Sequence, residues 1–424
     1  MKHRGTIALL LALAGAALLI GCKPTAVGVN GMAGLNCANC HSGNSSTAYG
    51  LAVLQNEAEY NQGGHYNGTR ILTPYIPGPP SSGNTYVFQG SHALSNSQIG
   101  GGICNKCHTD QGFVTAIASG GNFYSVGAIV ENNGPLPPGC FTCHNPHVTG
   151  NFTPRIQSPV TILSGGTYNF GLGNLCANCH QARATAAATL VGTPKSGSGP
   201  HHSVQSDFLL GENNWVKPAQ SYAGTSPHAT ATADSCVSCH HYDPYPRSSN
   251  SDLQLGGHGF YLTGVGGAAT FGGGPAAQKD VVVLCTSCHT SASPTFEGIH
   301  PTVPDWANIN GGNPADPLVE IRALRDKLVI YFINTPPKPM KLAAGTSWDG
   351  STLPVWPTTT IEWNRDFVAA ASVTLSLVQA QSYWNLQLFN EDRSEGIHNP
   401  VFAAQILYDA CVNLGIAVGA TRPS

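Results

Sequence analysis

Loops and short helices wrapped around bound cofactors, followed by a C-terminal helical region, are the fold class this sequence predicts. Three observations carry the expectation. Only 10% of the 424 residues are charged, against about a quarter in ordinary domains. Glycine, at 50 residues, is well above its usual share and is joined by 30 prolines, a composition that favours turns and draped loops over long elements. Twelve of the 14 cysteines recur in a single five-residue pattern. Such a chain needs something other than polypeptide to fill part of its core.

The pattern is Cys-x-x-Cys-His. It occurs as CANCH ending at His41, CNKCH at His108, CFTCH at His144, CANCH at His180, CVSCH at His240 and CTSCH at His289. Two residues between the thiols let both reach the two vinyl groups of one porphyrin, and the next residue brings an imidazole beneath the iron. This spacing reads as covalent c-type haem attachment. The attaching thiols are Cys37 and Cys40, Cys104 and Cys107, Cys140 and Cys143, Cys176 and Cys179, Cys236 and Cys239, and Cys285 and Cys288. Disulfides or zinc knuckles would also use paired cysteines, but neither requires a histidine after every pair. Six motifs imply six c-type haems. Their first cysteines, at 37, 104, 140, 176, 236 and 285, follow no fixed period, so the array is irregular.

Each haem iron has a second axial position, and what fills it decides between electron transfer and catalysis. Of 17 histidines, six are the proximal ones above and His3 lies near the N-terminus, leaving ten for six positions. The distal candidates are His92 in GSHAL, His147 in CHNPH, His201 in GPHHS, His228 in SPHAT, His258 in GGHGF and His398 in GIHNP. A glycine, serine or proline beside the histidine lets the backbone approach a flat ring without a clash. His202 and His241 directly follow better-placed histidines, and His65 and His300 stay open. His147 stands too close to His144 to serve the same haem, so it is expected to reach a neighbouring one.

At the N-terminus, Lys2, His3 and Arg4 precede an apolar run from Ile7 to Gly21, about 15 residues, which suits a secretory leader better than a membrane span. Its end, Leu-Ile-Gly-Cys22, resembles the lipobox of bacterial lipoproteins, which implies lipidation at Cys22 and, with Lys23 following, sorting to the outer membrane. The expected organisation is a signal peptide at 1–21, a hexahaem-binding region at 22–305 and a helical region at 306–424. The formal charge of −3 gives no basic face for nucleic acid. The glycine runs lack the Lys-Ser/Thr ending of a phosphate loop.

Beyond residue 306 the pattern turns helical. Asp316-Pro317 opens a helix to about Asn334 with Ile321, Leu324, Leu328 and Tyr331 on one stripe. A second helix is expected from about Ile361 to Asn390, with Phe367, Ala370, Val378, Gln381, Trp384 and Leu388 near helical spacing. Asn399-Pro400 opens a third, whose apolar face is Ile406, Leu407, Ala410, Cys411 and Leu414. Cys411 reads as a small buried hydrophobe. His398, just before the third helix, is expected to ligate one haem, so that the tail closes over the array as a lid.

The six motifs resemble those of multihaem c-type cytochromes, in particular the outer-membrane cytochrome lipoproteins of bacteria that respire on extracellular acceptors. The resemblance runs from about Leu35 to the end. It implies a multihaem cytochrome c fold and electron transfer between a periplasmic or outer-membrane donor and an extracellular acceptor. Other redox proteins are the implied partners, with an outer-membrane porin–cytochrome complex as one candidate. The tail QSYWNLQLFNEDRSEGIHNPVFAAQIL is similar to the C-terminal helices of pentahaem nitrite reductases and related octahaem enzymes, where a histidine before Asn-Pro coordinates a haem. That similarity keeps two alternatives open: a reductase of nitrite, hydroxylamine or a sulfur oxyanion with one open haem, and a subunit of a cytochrome filament. The Cys-x-x-Cys-Lys haem of the nitrite reductases is missing here.

Overall fold

The computed structural model describes residues 48–67, 85–87, 93–95, 104–118, 137–192, 194–197, 199–242, 255–265, 278–289, 296, 299, 317–342, 367–369, 373–419 and 421–423. The longer helices among them are α1 (Ala48–Gln62), α2 (Asp110–Ala118), α3 (Gln205–Leu210), α4 (Pro317–Asn334), α5 (Leu377–Asp392) and α6 (Pro400–Asn413). The described strands are two or three residues long and pair only as two-stranded antiparallel ribbons. Among the described residues, no helix is long and apolar enough to cross a membrane.

The helical tail holds most of the apolar core. Ile321, Leu324 and Leu328 on α4 are fully buried, as are Ile406, Leu407, Ala410 and Cys411 on α6. The Cys411 thiol donates to the Leu324 carbonyl at 3.6 Å, and burial pushes it up to about 12. It is packing material, as its sequence context implies.

The middle helix starts later than the apolar spacing suggests. Phe367–Ala369 pairs with Met340–Leu342 as a ribbon, and α5 begins at Leu377. The sequence signal is Ser376-x-x-Gln379. Ser376 Oγ accepts from the Gln379 N–H at 3.2 Å, and Gln379 Oε1 accepts from the Ser376 N–H at 3.1 Å. These two bonds satisfy backbone donors that a helix beginning leaves open. Val378, expected on the buried stripe, is exposed, whereas Trp384 and Leu388 are buried.

The core does not end where the tail begins. Ala182, Val204 and Phe208 from the motif-bearing region join it. The Phe208 ring stands edge-on to Phe402 at 5.2 Å and lies 6.4 Å from Phe389. Polar contacts follow the same seam. Tyr222 donates to Asp409 at 2.7 Å, Arg422 to the same carboxylate at 2.9 Å, and Trp384 Nε1 to the Asn213 carbonyl at 2.6 Å. A second cluster, with Ile162, Tyr168, Ala177, Leu209, Leu210 and Ala229, underlies the motifs at 176 and 236. The boundary expected between 305 and 306 lies outside the described residues, and the core spans the two regions it was to divide.

Phe208→Ala should cost about 3–5 kcal/mol by opening a cavity in this seam. Hydrogen exchange in urea, read separately on the helical tail and on the motif-bearing region, should show both losing protection together. Loss in the tail alone would mean that the two regions unfold separately.

Candidate haem-ligation sites

Each described motif is wound into a single turn. The His108, His144, His180 and His289 N–H groups donate to the carbonyls of Cys104, Cys140, Cys176 and Cys285, at 3.1, 2.9, 2.9 and 2.7 Å. The fifth motif is itself the helix Cys236–His240. A helical turn brings residues three and four apart onto one face, so both thiols and the histidine of each motif address the same side. Among the described residues no cysteine forms a disulfide.

Every described motif histidine faces one histidine from elsewhere in the chain. The ring centres are 5.9 Å apart for His108 and His202, 6.1 Å for His180 and His65, and 6.2 Å for His240 and His398. They are 6.2 Å apart for His289 and His228 and 6.3 Å for His144 and His258. An imidazole nitrogen sits about 2 Å from a bound first-row metal and about 1.1 Å from its own ring centre, so two imidazoles across one metal stand about 6.2 Å apart. Distance alone is not decisive, since His144 also lies 6.3 Å from Phe152. The one-to-one assignment is: five motif histidines, five partners, each used once. Histidines in ordinary contact stand closer, as with His201 and His202 at 3.8 Å or His241 and His258 at 4.7 Å. Among the described residues, no three His, Cys, Asp or Glu side chains converge as a protein-only metal site. Paired imidazoles instead suit an ion whose other ligands come from a macrocycle.

Four of the outward nitrogens are occupied. His240 Nδ1 bonds the Phe260 carbonyl at 3.0 Å, His228 Nδ1 the Ile397 carbonyl at 2.6 Å, His180 Nδ1 the Gln205 Oε1 at 2.9 Å, and His398 Nδ1 the Asp392 carboxylate at 2.7 Å. Gln205 spends its amide on the Asp392 carbonyl at 2.9 Å, so its oxygen is left to accept from His180. Such bonds fix the tautomer with Nε2 bare, as a metal-ligating histidine requires. Burial, then the facing His398, pushes His240 down to about 4. Burial also lowers His180, His144 and His228. Neutral imidazole is the ligating form. His398 runs the other way: burial pulls it down, but the Asp392 carboxylate outweighs that and raises it.

Of the six distal candidates, His228, His258 and His398 stand in facing pairs. His201 does not. It is exposed at φ 72°, and its neighbour His202 faces His108. The left-handed backbone at His201 and Ser203 brackets His202 and sets its ring. His147 also lies outside the five pairs, exposed on the turn Pro146–Thr149 with its ring 5.8 Å from Phe141. His92, His300, Cys22, and the first motif with Cys37, Cys40 and His41 lie outside the described residues. Sequence reasoning left His65 open, although GGHYN carries the same glycine signal as GGHGF. The glycine has a specific task there: a Cβ on Gly63 would meet the Gly259 carbonyl oxygen at 2.8 Å. Two segments that each bear a facing histidine therefore touch backbone to backbone.

No protein-family model, curated protein or solved structure matches this chain.

Gly63→Ala should separate those segments and cost about 1–3 kcal/mol through overpacking, read as a lowered urea midpoint. Parental stability would mean that the segments are free to slide apart.

Proposed function

We propose that the chain is a hexahaem electron-transfer cytochrome. The observation that carries this reading is the one-to-one facing of five motif histidines with five others at a spacing that fits an iron between them. Haem bound there supplies one-electron exchange between ferric and ferrous iron. The protein's own share is to close both axial positions with imidazole, to hold four of the rings by their outward nitrogens, and to keep the sites close together. Two fixed imidazoles resist displacement by substrate, which favours a carrier over a reductase. For the first motif, His41 is proposed as proximal ligand, with His92 or His147 opposite it. Lipidation at Cys22, an outer-membrane location and redox-protein partners belong to the same proposal and rest on the leader and on the family resemblance.

Intact mass of the purified protein should show six covalent haems. Electron paramagnetic resonance of the oxidised protein should then be low-spin. His398→Ala and His202→Ala should each turn one haem high-spin, and His201→Ala should leave the spectrum unchanged. Absence of covalent haem would overturn the function, and a silent His202→Ala the ligand assignment.

Asp392 is a charged acceptor, whereas the other outward acceptors named above are neutral carbonyl oxygens. Its bond to His398 makes that imidazole the stronger donor and favours ferric iron. A charge-assisted bond exceeds a neutral one by about 1 kcal/mol, or roughly 40 mV for one electron. Asp392→Asn should therefore raise one midpoint by about that amount in a spectroelectrochemical titration. A titration unchanged from the parent would remove Asp392 from any tuning role.

A further inference from the structure

We propose that the site built by His180 and His65 is a branch point of the array, packed against three other sites instead of the two that a linear wire allows. The inference rests on the haem reading above. Its first support is the packing of the motifs. In the motif that ends at His180, the Cys179 sulfur lies 4.0 Å from the Lys106 carbonyl oxygen of the second motif. Ala177, beside the other thiol, belongs to the buried cluster against which Cys236 of the fifth motif packs, and a Cβ on Gly173 would meet the Cys236 nitrogen at 3.4 Å. The second and fifth motifs therefore abut the fourth at separate places.

The third contact comes through the distal side. His65 follows directly on α1, whose Glu59 accepts from the His258 N–H at 3.0 Å and lies 3.8 Å from its Nδ1. His258 is the ring opposite His144. Phe260 stands edge-on to His65 at 5.0 Å and lies 6.2 Å from His258. One aromatic ring thus spans the distal faces of the third and fourth sites, and the contact of Gly63 with Gly259 leaves no room for water between their backbones. The sixth motif attaches elsewhere: its partner His228 is held by Ile397, the residue before His398 of the fifth site. The second, third and fifth sites each meet the fourth, and the third also meets the other two, through Thr142 with Asp110 and through His258 with His241.

The test is the position of the irons and porphyrins in the intact haem-loaded protein, from iron anomalous diffraction or single-particle cryo-electron microscopy. The porphyrin on His180 is expected in van der Waals contact with those on His108, His144 and His240. Contact with two or fewer of them would overturn the branch point while leaving the function intact. Motifs without haem would overturn both.

Discussion

The seven residues from Asp392 to His398 are the constraint on which three sites depend. The Asp392 carboxylate holds His398, its carbonyl orients the Gln205 that holds His180, and the Ile397 carbonyl holds His228. The turn is shaped against the ordinary preference of the backbone, with Arg393, Glu395 and Gly396 all at positive φ. Packing fixes it. A Cβ on Gly396 would meet Ile321 at 3.0 Å, Arg322 pairs with Glu395, and Ser394 bonds both Asp392 and the His398 N–H. A left-handed residue costs of order 1–3 kcal/mol. The buried helical core on either side repays that cost, which is why the largest apolar cluster lies here and not among the motifs.

This arrangement explains the composition. Where a flat macrocycle is the filler, the chain contributes edges, turns and ring nitrogens, and needs few long elements of its own. The tail is ordinary helical protein because its task is to hold a shape. The motif region is glycine-rich where its backbones approach one another closely, as Gly63 does against Gly259, and under the proposed haem reading the same freedom serves the cofactors.

The legibility of the sequence follows the same division. Helices α4 and α6 were readable to the residue at their starts, because proline at the first position, after Asp316 in one and Asn399 in the other, acts locally. The start of α5 was not, because apolar spacing over 361–376 says nothing about whether a strand partner waits at Met340–Leu342; the Ser376-x-x-Gln379 box was the better signal. The motif cysteines and histidines were legible because their chemistry is local. The partners were legible only as a pool, since facing depends on contacts such as Glu59 with His258, 199 residues apart. Neighbouring glycine marks His65 as it marks His258, and both rings face a motif histidine. In GPHHS it is the His202 ring that faces His108, with positive φ on either side of it, which the sequence does not display.

Distances between sites, more than ligation alone, decide what such an array can do. If every motif stood alone, nothing would require Cys179 to lie against Lys106 or Gly173 against Cys236. Under the proposed haem reading such contacts bring neighbouring cofactors together. The intervals between motifs then need no period, because neighbours in space are chosen by the fold: the second motif meets the fourth, and the third is drawn in from the distal side by α1. An irregular sequence array and a compact arrangement of sites are the same fact seen along the chain and across it.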